Sequence, residues 1–147
     1  QQGETVAMNL IELEDYTKEK GIPIDNFFIT GQKGMCVKYN GHYRIALNEK
    51  LLDGDLDRRL VLAHELGHCE TDMLYYIQDL QNPLHNQNVR KAERVATKKS
   101  YEYLIPVEEL KAAVKKTKDV FELAEIFGVP ETLLKAAVEY YRRKKML

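Results

Sequence analysis

No stretch of this 147-residue chain approaches the run of about 18 apolar residues that a membrane-spanning helix needs, and its start lacks a basic-then-apolar signal pattern. Neither membrane insertion nor export is therefore expected, and the cytoplasm is the expected compartment. Cysteine is nearly absent. Cys36 and Cys69 are too few for a disulfide framework, and in a reducing compartment both are expected as buried thiols rather than a bridge. Internal repeats and low-complexity tracts are also missing. Net charge is small, −1 with a pI near 6.5, well below what a dedicated nucleic-acid binder usually carries.

What is present describes one compact domain. Hydrophobic residues make up 44 % and charged residues 31 % of the chain, an ordinary balance for a globular protein long enough to build a core. The first methionine is Met8, and QQGETVA ahead of it reads as an expression remnant, leaving 8–147 as the expected domain. The small net charge hides an asymmetry. Residues 1–86 carry −6 and residues 87–147 carry +5, so a basic second half has the means to meet an acidic partner or nucleic acid.

From Asn9 to Lys20, Leu10, Ile11, Leu13 and Tyr16 recur near helical spacing before Gly21 and Pro23 close the segment. Three β-prone runs follow, FFIT, MCVKY and YRIALN. Asn40-Gly41 lies between the last two and accepts the positive φ angles of a type I′ turn, which predicts a hairpin with strands near 35–39 and 43–48. After DGDLD, with three possible N-cap aspartates, a helix is expected to about Cys69. Leu56, Leu60 and Ala63 fall on one side of it and Leu62, Leu66 and Cys69 on the other, the pattern of a central buried helix. DLQNPLHNQN reads as a loop, and a helix from about Gln87 to Tyr103 stops before Pro106. Short helices are expected around 107–116, 119–127 and 130–145. The fold class is α+β: mostly helical and zincin-like, with a small three-stranded antiparallel or mixed sheet on the central helix.

That central helix carries His64-Glu65-Leu66-Gly67-His68. Histidines four apart project from one helix face and can grip one metal ion. Zn²⁺ suits neutral imidazole, and a catalytic zinc needs three protein ligands with a fourth position for water. Glu65 lies about 100° round the helix from His64, where it can reach that water as a general base. Gly67 would let a neighbouring element approach closely. The alternative is a buried helix with two satisfied histidines, but this composition produces the pattern by chance in only roughly one such sequence in a hundred.

A metzincin would need Gly and His where this chain has Thr71 and Leu74, so the third ligand lies elsewhere. Glu93 is the strongest candidate, on a helix where Ala92, Ala96 and Ser100 form a small-residue stripe that permits close helix packing. Glu70 and Asp72 follow the motif too directly to fold back onto its metal. His85, in the loop, and Tyr101 are weaker candidates to stabilise a transition state, with a surface histidine and a core tyrosine as the plainer readings.

LAHELGHCET, Glu93-Arg94-Val95-Ala96 and the Leu104-Ile105-Pro106 step together resemble the ImmA/IrrE family of metallo-endopeptidases, particularly its short phage and mobile-element forms. The resemblance spans about residues 9–145. It implies His64, His68 and Glu93 as zinc ligands and Glu65 as catalytic base. It also implies a protein substrate, a helix-turn-helix repressor cleaved to relieve repression. Where family members often place an aromatic after Glu-x-x-Ala, this chain has Thr97, Lys98, Lys99 and Ser100. The tail VFELAEIFGVPETLLKAAVEYY resembles a helix-turn-helix, although Leu123, Ala124, Phe127, Leu133, Leu134 and Val138 are also what two helices packing round a tight turn require. Packing is favoured there, with a repressor-docking surface as its functional version and DNA contact through the basic helices the less favoured one. A non-catalytic regulator-binding or DNA-contacting module with a metal site, and a zinc-stabilised structural domain, are the competing functions.

Overall fold

The computed structural model describes residues 6–26, 31–74 and 86–147. Its elements run α1 (Leu10–Glu19), β1 (Ile24–Asn26), β2 (Gly34–Tyr39), β3 (His42–Leu47), α2 (Gly54–Thr71), α3 (Asn86–Leu104), α4 (Val107–Lys116), α5 (Val120–Phe127) and α6 (Glu131–Arg143). The fold is mostly helical α+β with a small mixed sheet, as expected. The chain divides into two compact units, Leu10–Ser100 and the residues before Leu10 together with Tyr101–Leu147.

In the first unit the strands order β1-β3-β2, with β1 parallel and β2 antiparallel to β3. Tyr39 pairs with His42, leaving Asn40 (φ 51°) and Gly41 (φ 78°) as the two-residue turn that their tolerance of positive φ predicts. Central β3 buries Ile45, Ala46 and Leu47. FFIT, expected as β-prone, lies outside the described residues. The strand observed nearby, Ile-Asp-Asn at 24–26, is poor in β-formers and is set by pairing with Ile45, Ala46 and Leu47 rather than by propensity.

Helix α2 packs against both β2 and β3 and against α1. It is buried through Leu62, Ala63, Leu66 and Cys69. Its first turn departs from expectation, since Leu56 is exposed and only the later turns are central. Asp53 takes the N-cap position without a side-chain cap bond; Asp57 instead reaches back to the Asp53 N–H at 2.9 Å and accepts from Lys33 Nζ at 2.9 Å. Arg58 ties α2 to α1 through Glu14 (3.2 Å) and also meets Glu49 (3.1 Å).

The cysteines correct an expectation. Cys36 and Cys69 form a disulfide, not two thiols, because β2 lies on the C-terminal end of α2 and brings Cα atoms 33 positions apart to within 6.2 Å.

In the second unit α4, α5 and α6 fall close to their expected limits. Asp119 caps α5 by accepting from the Phe121 N–H at 2.9 Å, and Gly128 ends it at φ 64°. Leu123, Ala124, Phe127 and Leu134 are buried. Leu133 and Val138, expected in the same core, are only half-buried. Tyr141 closes this core, its hydroxyl donating to the Ile105 carbonyl at 2.8 Å. No helix among the described residues is long and apolar enough to cross a membrane.

Candidate metal centre

The first unit assembles its polar centre where α2 and α3 lie side by side. A Cβ on Gly67 would sit 2.5 Å from the Ala96 carbonyl oxygen, so the helices approach to a separation only glycine allows at that position. Ala92, Ala96 and Ser100 are all buried, as their small size predicts for a helix contact. This close approach lets a glutamate of α3 reach across to the histidines of α2.

His64, His68 and Glu93 come together there, with one ligand-capable atom from each lying within 4.8 Å of the others. Glu93 Oε2 is 2.5 Å from His64 Nε2, and Oε1 is 3.3 Å from His68 Nε2. The two imidazoles meet edge-on with centroids 4.8 Å apart. Each also uses its other nitrogen. His68 Nδ1 is 2.6 Å from the Met73 carbonyl, and His64 Nδ1 is 3.4 Å from Thr97 Oγ1. A histidine that donates one N–H to a protein acceptor has its ring orientation fixed and the other nitrogen's lone pair free for a cation. The His68–Met73 pair fits that arrangement best, because the turn after α2 folds the Met73 carbonyl back onto the ring. Two imidazole nitrogens and one carboxylate, so placed, could hold a divalent metal of the zinc type.

Glu65 is the neighbouring buried carboxylate, only 9 % exposed. Burial raises its pKa; the nearby histidines and the Cys36 backbone N–H pull the other way, and the Glu93 charge adds to the rise. A buried carboxylate with enhanced proton affinity, open to water on one side, is suited to accepting and returning a proton. His68 is subject to opposing influences as well. Burial lowers its pKa, but the Glu93 hydrogen bond, the Met73 carbonyl and the charges of Glu65 and Glu93 prevail and raise it in the metal-free protein. A bound cation would oppose both upward shifts.

A cleft of about 360 Å³ opens on His64, Glu65 and Glu93 and is walled by Gln32, Lys33 and Gly34. Gly34 stands against α2, where a Cβ would lie 2.7 Å from Val61 Cγ1 and 3.0 Å from Glu65 Cγ. Sequence reasoning missed several of these contributors: Gly34, the Cys36 N–H, the Met73 carbonyl and the Thr97 hydroxyl. Only Thr97 carried a signal, as a departure from the family pattern one turn beyond Glu93.

The other candidates fall as follows. Glu70 accepts from the Tyr16 hydroxyl at 3.1 and 3.2 Å, and Asp72 ends α2 while meeting Tyr43 and Lys38, so neither joins the His–His–Glu group. Tyr101 is buried in the second unit, with its ring 5.7 Å from Tyr140 and 6.4 Å from Tyr141. His85 lies outside the described residues.

Neither a curated protein nor a solved structure gave a significant match to the chain. A family profile did. The profile described as the IrrE N-terminal-like domain (Peptidase_M78) matches residues 19–139, which include His64, Glu65, His68 and Glu93, and the chain therefore belongs to this ImmA/IrrE family of metallopeptidases.

Proposed function

We propose that the protein is a zinc-dependent endopeptidase whose substrate is a helix-turn-helix transcriptional repressor, cleaved to relieve repression in a phage or other mobile element. The observation that carries the catalytic part is the convergence of His64, His68 and Glu93, with buried Glu65 beside them on the cleft that His64 and Glu93 also line. Two histidines and a glutamate are the donor set of open, catalytic zinc sites. A zinc ion held by His64, His68 and Glu93 would supply an acidified water and polarise the scissile carbonyl. Glu65, buried beside them, is placed to accept a proton from water and return it to the leaving amine. Met73 and Thr97 hold the two imidazoles in orientation.

The substrate strand lies along the outer edge of β2, which the order β1-β3-β2 leaves without a partner strand among the described residues and which carries Gly34 at the cleft. The repressor as substrate rests on the family resemblance. Residues 8–147 act as one metallopeptidase domain, a reading supported by a family match that extends into both compact units.

The test is incubation of the purified protein with a helix-turn-helix repressor encoded beside it, with zinc and with a chelator. Discrete fragments are expected with zinc and none after chelation. Glu65→Gln should keep about one zinc per chain while cleaving at least about 10²-fold more slowly. Unchanged cleavage by that variant removes Glu65 from the chemistry. An intact repressor that stays bound points instead to a regulator-binding module.

A further inference from the structure

The second unit holds a cleft of about 810 Å³ between α4, α5 and α6, which the metal centre does not use. Its floor is aliphatic, built from Val114, Leu123, Leu134 and Val138, and the two leucines are almost fully buried. Its rim is cationic. Lys111, Lys115 and Lys118 stand on one side and Lys135 and Arg142 on the other, with Glu139 the sole acidic residue among those lining it. Lys111 is paired with Glu108 at 3.2 Å. Lys115, Lys118, Lys135 and Arg142 are exposed and make no ion pair among the described residues.

We propose that this cleft docks an acidic amphipathic helix of a partner protein. The size is that of a site for a few large side chains. Lys111 and Lys115 lie one turn apart on α4, and Lys135 and Arg142 are seven residues, about 10 Å, apart on α6. Positive charge thus flanks the aliphatic floor on both sides and along its length. A fatty-acid anion has one carboxylate and would neutralise one point on the rim. Duplex DNA has no use for the floor, and a flat bilayer cannot reach leucines recessed between charged rims. A helix with leucine-type residues at i, i+3/i+4 and i+7 and glutamates on both flanks complements both features at once. The claim concerns binding alone and holds whether or not the metal centre cleaves its partner.

Fluorescence anisotropy of the full chain tests it, using a labelled 15-residue peptide with leucines on one helical face and glutamates on both flanks. Saturable binding is expected. It should weaken about tenfold or more in Lys115→Glu/Lys135→Glu and comparably in Val138→Glu, all at positions outside the buried core. Peptides with lysine for glutamate, or serine for leucine, should bind at least about tenfold more weakly. The proposal is overturned by absence of saturable binding up to about 1 mM, by affinities unmoved in both variants, or by equal binding of the serine peptide. It is equally overturned if laurate, a 20-base-pair duplex or phosphatidylglycerol vesicles displace the peptide and bind more tightly themselves.

Discussion

Gly67→Ala tests how the metal centre is assembled without touching any proposed ligand. The added Cβ would meet the Ala96 carbonyl oxygen at 2.5 Å and the Ala96 Cα and carbonyl carbon at 3.2 Å. Tolerable contacts begin at 3.0 Å and ordinary ones at 3.4 Å, so α3 must retreat by about 0.5–0.9 Å at this point. Glu93 sits one turn earlier on the same helix and moves with it. Metal sites accept errors of only about 0.2 Å in ligand distance, so the displacement exceeds what Glu93 can absorb without changing rotamer. The expected consequences are a 10- to 100-fold loss of zinc affinity, about 10²-fold lower cleavage, and about 1–3 kcal/mol of stability lost to overpacking. Zinc affinity is read by competition with a chromophoric chelator, and stability by urea unfolding of the metal-free protein, which separates the two effects. Ala96→Gly should not rescue the variant, because the obstructing atom belongs to the backbone. Zinc affinity within twofold of the original, in a folded Gly67→Ala protein, would refute the idea that helix proximity sets the position of Glu93.

Two further outcomes are expected from the same unit. Reducing the Cys36–Cys69 disulfide should lower stability by up to roughly 3–4 kcal/mol on chain-entropy grounds for a loop of this length; urea midpoints with and without reductant measure it, and a Cys36→Ser/Cys69→Ser protein should show no dependence on reductant. Lys33 and the Asp53 N–H hold the Asp57 carboxyl below its usual pKa, so its stabilisation is present above the unfolded value and is lost as pH falls through the folded one. Asp57→Asn should therefore cost under about 1 kcal/mol at neutral pH, with the difference from the parent fading below about pH 4; a difference that grows in acid would show the sign to be wrong.

The residues that bind one another within a helix were legible in the sequence, and the residues that meet across elements were legible only where they left a compositional trace. Helical spacing places His64 and His68 on one face, and the breaks at Gly21, Pro106 and Gly128 mark element ends to within a residue or two. Asn40-Gly41 specifies its turn because few residues accept positive φ twice in succession. Gly67 and the Ala92-Ala96-Ser100 stripe announced a close helix contact because small residues on a helix face have few other uses. By contrast, nothing local marks the Cys36–Cys69 pairing, which depends on where β2 crosses α2. The same tertiary placement brings the Cys36 N–H to Glu65 and the Met73 carbonyl to His68, and a backbone group carries no residue identity to read.

Thr97 shows how a departure from a family pattern can carry structure. Family members frequently follow the Glu-x-x-Ala step with Asn or Lys, a bulky aromatic and Ala, and the run Thr97-Lys98-Lys99-Ser100 in their place reads at first as the loss of the aromatic. Thr97 lies four residues after Glu93, so on α3 it projects from nearly the same face, toward the histidine that Glu93 contacts. Its hydroxyl is 3.4 Å from His64 Nδ1, while the Met73 carbonyl meets Nδ1 of the other imidazole at 2.6 Å. The Met73 carbonyl can only accept, so His68 Nδ1 carries a proton. The Glu93 carboxylate 2.5 Å from His64 Nε2 likewise only accepts, which in a neutral imidazole without a cation puts the His64 proton on Nε2 and leaves Nδ1 to accept from the Thr97 hydroxyl. A cation held through the His64 Nε2 lone pair would reverse that choice: Nδ1 would then carry the proton, and the Thr97 hydroxyl, able to donate or accept, would accept it. The two rings therefore differ: His68 Nδ1 keeps the same hydrogen-bond polarity with or without a cation, whereas the His64–Thr97 hydrogen bond would change direction if a cation took the Nε2 lone pair.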